Sequence, residues 1–95
     1  MLIGYARVST NEQNLHLQID ALEHAGCSKI FTDTLSGANF SRDGLEQALD
    51  YAREGDTLII WRLDRLGRSL KDLIELVQSI EARGIALRSL QEQLD

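Results

Sequence analysis

A chain of 95 residues with 43% hydrophobic and 26% charged side chains has the make-up of one small globular domain, which excludes disordered and collagen-like classes. A net charge of −5 excludes a protein that grips duplex DNA by bulk basic charge, and the chain holds no apolar run of membrane-spanning length. A cytoplasmic location with no membrane partner is the expectation, and the single cysteine, Cys27, is expected to pack as a small apolar residue.

The run Leu2 to Val8 opens the chain as a strand. Thr10 with Gln13 fits a capping box, and Leu15, Ile19 and Leu22 then recur at helical spacing. His16 and His24 on this helix have no cysteine partner at ligand spacing and are expected at the surface. Gly26 closes the helix and Lys29 to Phe31 forms a second strand, followed by a loop of small polar residues from Thr34 to Ser41. Gly44 through Glu54 reads as a helix with Leu45, Ala48, Leu49 and Ala52 on one face, capped by Gly55. Thr57 to Trp61 is the third strand. Leu66, Leu70, Leu73, Ile74, Val77 and Ile80 make one stripe of a third helix, expected to face the core; Gly84 ends it and Ile85 to Leu90 is the last strand. Strands alternating with helices require crossover connections. The expected architecture is a three-layer α/β/α domain around a mostly parallel sheet of four to five strands.

Open α/β sheets bind ligands beyond the carboxyl ends of their strands. Here those ends carry Arg7, Ser9 and Thr10, then Asp33 to Arg42, then Arg62 to Arg68. Arg7 and Ser9 share a face of the first strand by its two-residue period. On these residues alone two readings of Ser9 stand: a nucleophile beside a phosphate, or a helix N-cap. Arg65 and Arg68, three apart, either share a phosphate or form a solvated face with Asp64. A flavodoxin-like nucleotide module is disfavoured, since no glycine-rich phosphate loop follows the first strand.

The stretch Tyr5-Ala6-Arg7-Val8-Ser9-Thr10-Asn11-Glu12-Gln13 resembles the nucleophile motif of the serine site-specific recombinases, the resolvase and DNA invertase family. Gly55-Asp56, Leu58 to Trp61 and Leu63-Asp64-Arg65-Leu66-Gly67-Arg68-Ser69 resemble the family's second signature. Between them, Asp33-Thr34-Leu35-Ser36-Gly37 and Arg42-Asp43-Gly44-Leu45 follow the same pattern. The resemblance runs through nearly the whole chain and is nearest to the small invertases and resolvases.

The resemblance implies a resolvase-like catalytic domain acting on double-stranded DNA by transesterification, with Ser9 forming a 5′-phosphoserine link and freeing a 3′-hydroxyl. Inversion or resolution of a DNA site is the implied outcome. Arg7, Arg42, Arg65 and Arg68 would surround the phosphate, with Asp33 and Asp64 orienting the arginines, and Ser36 would contact the phosphate. Gln13 and Gln18 match the family's polar support residues, and Tyr5 matches the motif as a packing or hydrogen-bonding residue. An arginine cage implies no metal and no cofactor. Residues 1–95 would be the catalytic domain alone, truncated before the long dimerisation helix and the helix-turn-helix domain that family members carry. Full-length members would pair as dimers and tetramers; the fragment alone is expected to be inactive. The alternative is an inactive remnant that works only through protein contacts.

Overall fold

The computed structural model describes residues 1–9, 15–35, 43–62, 66 and 69–91. In chain order the elements are β1 (Leu2–Ser9), α1 (Leu15–His24), β2 (Lys29–Leu35), α2 (Asp43–Tyr51), β3 (Thr57–Ile60), α3 (Leu70–Ala82) and β4 (Ala86–Ser89). The four strands form one sheet in the order β2-β1-β3-β4, and every neighbouring pair is parallel. The chain first moves to one side of β1 and then crosses to the other. Right-handed crossovers therefore put α1 on one face and α2 with α3 on the opposite face.

The two cores follow this division. Ile3 and Tyr5 of β1 join Leu45, Leu49, Leu58, Ile60 and Ile80 beneath α2 and α3. Ala6 packs with Leu22 and Ile59 beneath α1, where Leu2, Ala25, Cys27 and Ile30 close the layer. The alternation along β1 thus sends odd residues to the α2 and α3 side and even residues to α1. Partial burial raises the Cys27 thiol above its ordinary pKa, in keeping with a packing residue.

Gly26, Gly55 and Gly84 take the left-handed backbone expected after a helix, with φ of 98°, 94° and 77°. His16 and His24 are both exposed. Three boundaries differ from the sequence reading by more than one residue. β2 runs on through Thr34 and Leu35, because pairing with β1 continues to Ser9 and outweighs the loop-like composition. α2 stops at Tyr51, short of Glu54. α3 begins at Leu70, because the Ser69 hydroxyl accepts the Asp72 amide at 3.2 Å and caps the helix there.

The α3 stripe is also narrower than expected. Leu73, Leu76 and Ile80 reach the core, and Leu66 is buried in the turn before the helix. Leu70 and Ile74, however, are 74% and 48% exposed. They lie at the flank of the helix, beyond the width the sheet can cover. Among the described residues no helix is long and apolar enough to cross a membrane.

At the amino edge of the sheet, Asp56 accepts the Arg53 amide at 2.9 Å and pairs with the Met1 amino nitrogen at 3.1 Å. The Arg53 amide bond, and then the amino-terminal hydrogen bond, hold the Asp56 carboxyl below its ordinary value of 3.8. A depressed carboxylate contributes stability that is complete above that ordinary value and lost as pH falls through the lower, folded one. Asp56→Asn should therefore flatten the acid limb of stability as pH falls below the ordinary carboxylate value, read by urea midpoints. An unchanged limb would contradict the assignment.

Candidate active site

The strand order reverses at β1, so the crevice beyond the carboxyl ends of β1 and β3 is the topological switch point. Ser9 is the last residue of β1, paired in register with Leu35, and for Ser9 the backbone alone is described. Arg7 pairs in register with Asp33 of β2, one strand over. Both side chains belong to the α2 and α3 face, and both are nearly enclosed, at 5% and 8% exposure. The sheet thus holds a guanidinium and a carboxylate side by side just inside the carboxyl edge.

Asp33 joins three parts of the fold. Its carboxylate accepts the Tyr5 hydroxyl at 2.7 Å, the Gly44 amide at 2.8 Å and the Leu45 amide at 3.2 Å. The last two are orphan donors at the start of α2, so a strand residue supplies the helix cap and its charge meets the positive end of the helix. Its described partners are therefore the tyrosine and two amides, where the sequence reading assigned it to orienting arginines. The consequence for the site is positional: Asp33 fixes where α2 begins, and Arg42 is the residue next before α2.

The helix start lies so close to β2 that it tolerates no side chain. A Cβ on Gly44 would sit 2.3 Å from the Thr32 carbonyl oxygen and 2.9 Å from Asp33 Oδ1. Sequence reasoning missed both features. The signal was present, since a glycine inside a helical pattern costs stability unless something must come close.

Tyr5 is 1% exposed and its hydroxyl is committed to Asp33, which makes it a support of this joint. Tyr5→Phe removes one donor from a buried carboxylate. It should cost about 1–3 kcal/mol, read from chemical denaturation. Unchanged stability would show that the bond carries no weight.

Gln18 is fully enclosed on the sheet-facing side of α1, in the opposite layer from Tyr5, Arg7 and Asp33. Neither its Oε1 nor its Nε2 has a hydrogen-bond partner among the described residues. Gln13, Ser36, Arg42, Asp64, Arg65 and Arg68 lie outside the described residues, as does the Thr10–Gln13 capping box. Arg62 is described and exposed at the end of β3, and Trp61 beside it is half-buried. The structure therefore brings together Tyr5, Arg7, Asp33 and the start of α2 next to the end of the Ser9 strand.

Comparison with known proteins adds to this geometry. A family model described as "Resolvase, N terminal domain" matches residues 2–95. The serine recombinase gin of Escherichia phage Mu is 57% identical over 95 residues, covering 100% of this chain and 49% of that protein. The transposon Tn552 DNA-invertase BinR of Staphylococcus aureus is 55% identical over 94 residues, covering 99% of this chain and 49% of the relative. Among solved structures, the C-terminal catalytic domain of ISC1926 TnpA, an IS607-like serine recombinase, superimposes with a TM-score of 0.77 at 24% identity. That superposition covers 97% of this chain and 70% of the other and speaks for the fold. The chain spans about half the length of the curated relatives it matches.

Proposed function

The chain belongs to the resolvase family, and from that membership we propose that it is the catalytic part of a site-specific DNA recombinase, using Ser9 as nucleophile. In this reading the Ser9 oxygen attacks a backbone phosphorus of double-stranded DNA. The bond to the 3′ oxygen breaks, that oxygen leaves with a proton as a free 3′-hydroxyl, and the 5′ phosphate stays on the serine. After strand exchange a 3′-hydroxyl attacks the phosphoserine and the serine is released. One phosphoester replaces another at each step, so no external energy source is consumed.

The observation that carries the proposal is the enclosed guanidinium of Arg7, delivered by β1 two residues ahead of Ser9 at the switch point. A nearly buried guanidinium has little water to screen it. It can therefore stabilise the added negative charge of a five-coordinate phosphorus more strongly than an exposed one. Arg42, Arg65 and Arg68 are assigned to the same phosphate, with Asp64 orienting them, Ser36 contacting an oxygen, and Gln13 and Gln18 as supports. Tyr5 and Asp33 act through the placement of α2. Site recognition and pairing into dimers or tetramers are assigned to sequence matching the remaining half of the relatives' length. This division also suits a net charge of −5, which is too acidic to hold a duplex by itself.

The reading is tested by joining these residues to the C-terminal half of the phage Mu relative and supplying that relative's recombination site. The expected result is a detergent-stable protein–DNA adduct through a 5′ phosphate. A joined protein that folds and binds the site yet forms no adduct would overturn the proposal and favour a remnant that works through protein contacts.

A further inference from the structure

α2 and α3 share one face of the sheet and leave between them a cleft of about 290 Å³. Leu45, Leu49 and Leu76 form its apolar floor, and all three belong to the core cluster beneath. Glu46, Asp72 and Glu75 stand around that floor. Glu46 and Glu75 are exposed, and no lysine or arginine is among the described residues that line the cleft. Near the carboxyl ends of the same two helices a cation does bridge the gap, where Arg83 comes within 3.9 Å of Asp50. Glu46 and Asp72 lie in the first turns of their helices, where the helix dipole by itself favours an acid. The dipole gives no reason for Glu75 in the second turn of α3, nor for three acids around one patch of leucine. Carboxylates gathered in this way raise one another's energy unless a cation comes among them.

We propose that this cleft docks an arginine-bearing segment of a basic partner protein. The aliphatic stem of the arginine lies on the leucines, and its guanidinium sits among the carboxylates. The inference goes beyond the proposed function and makes no use of Ser9. Charge selects the occupant. DNA and anionic lipid surfaces carry the same sign as the rim, and so does this face on a second copy. Size narrows the choice further. About 290 Å³ is at the small end for a free organic ligand but suits one long side chain with an apolar neighbour. Arginine fits better than lysine, because its planar fork can meet two carboxylates at once.

The probe is a synthetic peptide of about 15 residues, long enough to hold a helix, with arginines and leucines on one face. Titrated into the 95-residue chain at low salt, without DNA, it should bind with a dissociation constant on the order of 0.1 mM. Backbone amide NMR shifts should gather at Glu46, Leu49, Glu75 and Leu76. Glu46→Lys and Glu75→Lys should each weaken binding about fivefold or more. Both side chains stand in solvent, so circular dichroism should show an unchanged fold. Asp20→Lys makes the same charge change at an exposed position of α1 and should alter affinity by less than about twofold. A second peptide, with serine in place of each leucine, should bind at least about fivefold more weakly. No binding would overturn the proposal. An equal loss in Asp20→Lys, or equal binding of the serine peptide, would also overturn it, because charge alone would then suffice. The same amide shifts on concentrating the chain by itself would assign the cleft to a second copy, and the same shifts with a DNA duplex would assign it to DNA. Either result would end the partner reading.

Discussion

Ser9→Ala in the joined protein is expected to eliminate the covalent adduct and lower strand cleavage by about 10⁴-fold or more, with site binding retained. The substitution removes a single oxygen at the end of β1 and leaves a residue the strand accepts. The competing role for Ser9, a helix N-cap, predicts something else. Losing a cap costs about 1 kcal/mol of stability and leaves cleavage largely in place. Stability and cleavage measured on one variant therefore separate the two roles. Arg68→Ala gives the complementary result: cleavage falls by about 10²–10³-fold, as for removal of one transition-state donor, while binding at the site is nearly unchanged. Equal losses of binding and cleavage would assign Arg68 to holding DNA. A Ser9→Ala protein that still forms adduct would end the nucleophile assignment, whatever the state of the arginines.

The parts of this fold that depend on local chemistry were legible in the chain. Glycines at 26, 55 and 84 need the left-handed backbone that only they take freely, so each marked a helix end. The strand–helix alternation then determined a parallel sheet, and with it the edge where Arg7 and Ser9 emerge. What escaped the reading depends on distance in space. β2 extends to Leu35 because β1 lies beside it, and nothing in Thr34 or Leu35 alone announces a strand. The α3 stripe was assigned wholly to the core because periodicity reports which residues share a face, and not how wide the covering sheet is. Leu70 and Ile74 fall past that width. Asp33 was placed at the carboxyl edge of the sheet, but its part in joining Tyr5 to the start of α2 was not foreseen. A carboxylate next to arginines in sequence pattern suggests an ion pair, whereas its described bonds go to Tyr5, 28 positions away, and to the amides of Gly44 and Leu45.

That joint is where a very small change should have a large effect. Gly44→Ala adds one carbon, which would stand 2.3 Å from the Thr32 carbonyl oxygen and 2.9 Å from Asp33 Oδ1. The nearer obstacle is backbone of a paired strand and cannot swing aside, so α2 must lift. Lifting it stretches the Gly44 and Leu45 bonds to Asp33 and loosens Leu45 and Ala48 from the core beneath. Strain, two weakened charge-assisted bonds and lost packing together should cost about 3 kcal/mol or more. A 95-residue domain has roughly 5–14 kcal/mol in all, and each 1 kcal/mol moves its melting point by about 4–8 °C, so a fall of at least about 12 °C is expected. Gly55→Ala is the control. It meets nothing within 4 Å and has only its φ of 94° against it, so about 1 kcal/mol should suffice. The two variants separate close approach from backbone preference. The site gives a second reading of the same change. Because Arg42 immediately precedes α2, a lifted helix displaces it, and the joined protein carrying Gly44→Ala should lose cleavage even at a temperature where circular dichroism shows it fully folded. A Gly44→Ala domain within about 0.5 kcal/mol of its parent would mean that α2 is not held against β2 in this way, and the positional role given to Asp33 would fall with it.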